Sequence, residues 1–131
     1  MTGTTRGTIL VVDDDENVRL LAQWLLGRLG YATVGAETAA VALELSRQAL
    51  ARGERFAAVI LDLCIPGSMA GAEALAALRE LDPEVPAFVM SGDIDDPRMR
   101  NFAAYGFQGA ISKTLLQETL PTALKKHFGF D

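Results

Sequence analysis

The sequence predicts an α/β fold, an open, doubly wound, five-stranded parallel sheet with helices on both faces. A short apolar run followed by a helical pattern recurs five times along the chain. Strands that alternate with helices pair in parallel and carry their helices on the two faces. The third run, Phe56 to Leu61, is apolar throughout, as a central parallel strand covered on both sides must be. Five such units in 131 residues are too few for an eight-stranded barrel. With one domain averaging roughly 150 residues, the expected organisation is a single domain over 1–131, with residues 1–7 flexible.

The elements follow in order. The first strand is Thr8-Ile9-Leu10-Val11-Val12, and it stops at Asp13-Asp14-Asp15-Glu16. Val18, Leu21, Leu25 and Leu29 then recur at helical spacing, with Gly30 as the stop. Tyr31 to Ala36 is the second strand, and a helix from about Thr38 to Ala51 places Val41, Leu45 and Ala49 on one face. The third strand ends at Asp62; a loop with Pro66, Gly67 and Gly71 leads to a helix carrying Leu75, Leu78 and Leu81, ended by Asp82-Pro83. Ala87 to Met90 is the fourth strand, ending at Ser91-Gly92, and a helix from about Asp96 to Tyr105 follows. The fifth strand, Gly109 to Ser112, ends at Lys113. The last helix carries Leu120, Leu124 and Phe128, which places Pro121 in its first turn, where a missing N–H is tolerated.

Composition excludes several function classes. Half the residues are hydrophobic, enough for a core and against disorder. Twelve Lys and Arg against seventeen Asp and Glu leave a net charge of −5, which disfavours contact with nucleic acid or an anionic membrane. One cysteine excludes an intramolecular disulfide and a cysteine-cluster zinc site. No apolar run is long enough to span a membrane and the start lacks a signal-peptide core, so a cytoplasmic setting is expected.

Chemistry in an open α/β sheet sits at the carboxyl ends of the strands. Those ends carry Asp13-Asp14, Asp62, Ser91-Gly92 and Lys113. Three carboxylates, a hydroxyl and an ammonium therefore converge on one rim. Two unit charges 4 Å apart repel by about 4 kcal/mol at an effective dielectric of 20. Lys113 offsets one charge, and a hard divalent cation such as Mg²⁺ suits the rest. A carboxylate nucleophile can form an aspartyl-phosphate, with metal, lysine and hydroxyl holding the phosphoryl oxygens.

Ile9-Leu10-Val11-Val12-Asp13-Asp14, Val59-Ile60-Leu61-Asp62 with Pro66-Gly67 beyond it, Met90-Ser91-Gly92 and Lys113 resemble, in order and spacing, the receiver domain of two-component response regulators. Ile65 to Gly71, Asp95-Asp96-Pro97 and Tyr105 to Gly109 resemble more closely the receivers of hybrid sensor histidine kinases. The resemblance implies a flavodoxin-like sheet of strand order 2-1-3-4-5. It implies Asp62 as phosphoacceptor, Asp13, Asp14 and Asp62 as Mg²⁺ ligands with the Cys64 backbone carbonyl, and Ser91 and Lys113 on the phosphoryl group. The phosphate would come from a histidine kinase or histidine phosphotransfer protein, with this chain a monomer or weak dimer. It would be a signalling module whose only chemistry is its own phosphorylation and dephosphorylation. Gly92 would leave the site open to the donor, and Cys64 and Asp93 would flank the path of attacking water.

Other residues take simpler roles. Asp15 and Glu16 suit a helix N-terminus. His127 is expected to be an exposed helix residue. Leu20 and Trp24 fall off the apolar face of the first helix and form an exposed strip at i, i+4, a candidate docking site for the donor. Two positions depart from the family pattern. Thr114 stands where a cis proline usually follows the lysine, so a trans bond and a shifted loop are expected. Ala110 stands where a Tyr or Phe usually relays the signal, so the standard readout through helix 4, strand 5 and helix 5 is in question. A relay or sink, or a signal routed through the loop at 67–71, would need no such ring. A pseudo-receiver acting by protein contacts is the main alternative. An aspartyl phosphatase is disfavoured because Cys64 replaces its general acid, and a flavin site because no phosphate loop follows the first strand.

Overall fold

Five strands lie in the order β2-β1-β3-β4-β5, every neighbouring pair parallel. The computed structural model describes residues 6–63 and 71–130. The strands are β1 (Thr8–Val12), β2 (Ala32–Ala36), β3 (Ala58–Asp62), β4 (Ala87–Ser91) and β5 (Gly109–Ser112). The helices are α1 (Glu16–Arg28), α2 (Ala39–Ala51), α3 (Gly71–Leu81), α4 (Pro97–Arg100) and α5 (Leu116–Phe128), with a 3₁₀ turn over Phe102–Tyr105.

Successive strand side chains point to opposite faces, so the apolar runs supply two cores. Ile9, Val11, Ile60, Phe88, Met90 and Ile111 pack under α1 and α5. Leu10, Val12, Val59, Leu61 and Val89 pack under the helices of the other face. Both sides of β3 and β4 are covered, since all five residues of each are buried. Gly109 is needed where β5 meets β4, because a Cβ there would stand 2.9 Å from Phe88.

Four expectations about helices need correction. The buried residues of α1 are Ala22, Leu25 and Leu26, while Val18, Leu21 and Leu29 are only half-buried. In α2 the buried set is Ala39, Ala42, Leu43, Ser46 and Ala49, and Val41 is exposed. Three of the five buried residues are alanines, and Leu43 is the large apolar side chain among them. The helix expected from Asp96 to Tyr105 is divided at Asn101, whose φ of −125° and ψ of 49° leave the helical region. Met99 is the only buried residue of 97–105, too little apolar face to hold a longer helix. Pro121 lies inside α5 rather than in its first turn, because the helix begins at Leu116. Burial of Leu116, Leu120 and Leu124 fixes the helix on both sides of the proline. That packing offsets the roughly 3 kcal/mol cost of an interior proline.

The ends are tied down from Arg6 onward. The Arg6 amide donates to the Gly30 carbonyl at 2.8 Å, and the Ala32 amide donates to Gly7 at 2.9 Å.

Asp96 caps α4, accepting from the Arg98 amide at 2.8 Å and pairing with the Arg98 guanidinium at 2.8 Å. These bonds hold its carboxyl down at about 2, below the usual 3.8. A depressed carboxyl contributes stability that is present above about 3.8 and lost as pH falls through about 2. Asp96→Ala is expected to cost about 1 kcal/mol at neutral pH. It should also remove this part of the acid-induced loss, as read by denaturation at a series of pH values.

Candidate functional site

The rim is set by bonds that extend the sheet past its strands. The Asp13 amide donates to Ala36, Leu63 to Met90 and Lys113 to Ser91, at 3.0, 3.0 and 2.9 Å. β1 pairs directly with β3, so the residues that follow Val12 and Leu61 emerge side by side. Carboxylate oxygens of Asp13, Asp14 and Asp62 all lie within 4.8 Å of one another. Asp13 and Asp62 are buried, at 0% and 3% exposure, while Asp14 is exposed.

The Lys113 ammonium binds both buried acids. Its Nζ lies 3.0 Å from Asp13 Oδ2 and donates a hydrogen bond to Asp62 Oδ2 at 3.1 Å. Burial pushes the Asp13 carboxyl up, with the Asp62 charge adding to this against the Asp15 amide and Lys113. Burial disfavours the charge on Lys113, but the two carboxylates outweigh it and raise its pKa. The Lys113–Thr114 peptide is trans, as no described peptide bond is cis, and the lysine still reaches both acids. A hydroxyl ladder orders the loop: Ser112 Oγ and Thr114 Oγ1 are 3.0 Å apart, and Thr119 Oγ1 accepts from the Ser112 amide at 3.0 Å.

Ser91 is buried, and its Oγ accepts from the Asp93 amide at 3.0 Å. A Cβ at Gly92 would meet nothing within 4 Å, so the chain leaves open space beside Ser91. Cys64 and the loop at 64–70 lie outside the described residues. Ala110 is half-buried and, with Phe102, Thr119, Ala123 and His127, lines an open groove of about 550 Å³. His127 is exposed, with its ring edge-on to Phe88. Leu20 and Trp24 are 53% and 55% exposed. The Arg28 guanidinium covers the Trp24 ring at 5.0 Å.

Sequence reasoning missed Arg19. Its Nη1 donates to the Asp13 carbonyl at 2.7 Å, and its Nη2 lies 3.9 Å from Glu37. It therefore ties the acidic turn to α1 and to the end of β2. The bond goes to a backbone carbonyl, so side-chain spacing carried no signal for it.

The three carboxylates present hard oxygen donors to one point, with more negative charge than one lysine can offset. They fit a hard divalent cation such as Mg²⁺.

The model of the response regulator receiver domain matches residues 9–125. The chain belongs to the response regulator receiver domain family. The receiver is 37% identical over 120 residues to the sensor histidine kinase AruS of Pseudomonas aeruginosa, covering 88% of this chain and 11% of that protein. It is 33% identical over 89 residues to sporulation initiation phosphotransferase F of Bacillus subtilis, covering 66% of this chain and 67% of that protein. Among solved structures it is similar to a response regulator of Burkholderia pseudomallei that holds a phosphorylated aspartic acid, a calcium ion and citrate. That likeness has a TM-score of 0.74 and 25% identity, over 94% of this chain and 69% of that one. The strand order and the helices on both faces are those of the flavodoxin-like receiver fold. Among the described residues no helix is long and apolar enough to cross a membrane.

Proposed function

We propose that this receiver takes a phosphoryl group from the phosphohistidine of a histidine kinase or phosphotransfer protein onto Asp62. The observation that carries the reading is the meeting of Asp13, Asp14 and Asp62 within 4.8 Å, with Lys113 on the two buried members. An Asp62 carboxylate oxygen attacks phosphorus, an O–P bond forms, and the N–P bond breaks with its electron pair returning to the imidazole. In hydrolysis, water attacks phosphorus and gives up a proton to solvent, the O–P bond to Asp62 breaks with its electron pair returning to the carboxylate, and inorganic phosphate departs. Asp13, Asp14, Asp62 and the Cys64 carbonyl would hold Mg²⁺, which supplies positive charge to the phosphoryl oxygens. Lys113 keeps its charge on the rim and pairs with one phosphoryl oxygen. Ser91 donates its hydroxyl to another, and the open space at Gly92 admits the donor. In this reading the receiver acts as a signalling module in the cytoplasm, as a monomer or weak dimer.

The names of AruS and of the Bacillus phosphotransferase support a histidine-derived donor. Phosphoramidate, which offers phosphorus on nitrogen, tests the chemistry without a protein. Uptake that Asp62→Asn abolishes supports the proposal, and no uptake by the wild type contradicts it in favour of a pseudo-receiver.

The exposed strip of Leu20 and Trp24 is proposed as the donor's docking surface. Trp24→Ala is expected to slow transfer from a histidine phosphotransfer protein at least tenfold, as loss of an interface anchor does. Uptake from phosphoramidate should be unchanged. Equal losses with both donors would place the effect in the fold instead.

A further inference from the structure

On the face opposite the one facing α2 and α3, α1 and α5 leave a groove of about 430 Å³, with Arg6, Arg28 and Lys125 around it. Among the described residues no acidic side chain lines it, although the chain carries a net charge of −5. The three cations come from three segments: the stretch before β1, the last turn of α1 and the last turn of α5. Among the described residues none of the three makes an ion pair. Arg28 and Lys125 are each favourable charges at a helix C-terminus. That does not account for their convergence with Arg6, since like charges gathered without a counter-ion among the described residues repel.

The guanidinium carbon of Arg6 lies over the Phe130 ring at 4.1 Å, and that of Arg28 over Trp24 at 5.0 Å. A guanidinium held on a ring can still fork N–H groups onto an oxyanion. Leu25, Leu29, Pro121 and Phe130 give the groove an apolar wall, and Gln117 gives it a neutral polar group. The volume falls in the range of small-molecule sites, roughly 300–1,000 Å³. Arg6 precedes β1 and Asp13 follows it, so at about 3.3 Å per residue the groove lies roughly 20 Å from the acidic rim.

We propose that this groove binds a small organic polyphosphate of nucleoside diphosphate size. Its phosphates would lie across Arg6, Arg28 and Lys125 and its organic body against Leu29, Pro121 and Phe130. The two arginines would fork onto phosphate oxygens and Lys125 would act as a point charge. The apolar wall adds affinity that inorganic anions cannot gain. This site is separate from the phosphoacceptor chemistry and does not depend on it.

The test is titration of the receiver with ADP in magnesium-free buffer, followed by amide chemical shifts. The expected result is saturable shifts confined to the segments around Arg6, Arg28 and Lys125. Pyrophosphate and adenosine should each bind more weakly than ADP. Arg28→Gln with Lys125→Gln should weaken ADP binding at least tenfold, and both are surface changes whose folding circular dichroism can check. No shifts at millimolar ADP, shifts unchanged in the double variant, or tighter binding of an oligoglutamate peptide than of ADP would each overturn the proposal.

Discussion

Lys113→Ala is expected to slow phosphoryl uptake on Asp62 by roughly a thousandfold, the scale of removing one preorganised charge from a site of this kind. The same change should destabilise the receiver by about 2–3 kcal/mol. Asp13 and Asp62 have side-chain exposures of 0% and 1%, and Lys113 is the cation in contact with both. Removing one partner of a buried ion pair costs about 3–5 kcal/mol, because the remaining charge is left uncompensated. Here the lysine side chain is 24% exposed, so water recovers part of that loss. Urea unfolding and phosphoramidate uptake separate the two effects. Mg²⁺ should stabilise the variant more than the wild type, because it would then be the only cation on the rim. Wild-type stability and uptake in Lys113→Ala would show that the lysine has no part in the site.

Arg79→Met should cost about 2–3 kcal/mol while leaving the acidic rim intact. Arg79 donates to the Gly106 carbonyl at 2.6 Å, the Val85 carbonyl at 3.0 Å and Gln108 Oε1 at 2.9 Å. Gln108 Oε1 in turn accepts from the Ala87 amide at 2.7 Å. One guanidinium thus fastens α3 to the loops that lead into β4 and β5. Burial lowers its pKa, yet it stays charged far above neutral pH. Hydrogen bonds to charged groups contribute about 1.5–3 kcal/mol each, and the bonds to Gly106 and Val85 are part-buried, so water recovers only part of the loss. Equilibrium unfolding measures the loss. A change below about 0.5 kcal/mol would mean that water replaces the arginine fully.

The strands and the rim were legible because each apolar run is continuous and each is ended by a residue with chemistry. Covalent order alone places Asp13, Asp62, Ser91 and Lys113 at strand ends, and parallel pairing then brings those ends together. Helix faces were less legible. Val41, Leu43, Leu45 and Leu50 are the large apolar residues of α2, yet only Leu43 of them is buried, beside Ala39, Ala42 and Ala49, so the spacing of large side chains does not identify the buried face. The division at Asn101 depends on how little of 97–105 the sheet covers, and Pro121 is tolerated only because of the packing on both sides of it. Both are tertiary effects. Arg79 and Gln108 are 29 positions apart, so no local pattern connects them. Arg19 reaches back only six positions, but to a backbone carbonyl, which leaves no signature in side-chain spacing.

Ala110 and Thr114 remain the two departures with consequences for signalling. The structure shows that Thr114 leaves Lys113 in contact with both acids. Position 110 carries only a methyl group, and it lines an open groove with Phe102, Thr119, Ala123 and His127.

The most direct test of the central claim is intact mass after incubation with acetyl phosphate, with and without Mg²⁺, for the wild type and Asp62→Asn. The account predicts one phosphoryl adduct that requires both Mg²⁺ and Asp62. No adduct on the wild type, or an adduct that survives Asp62→Asn, would contradict it.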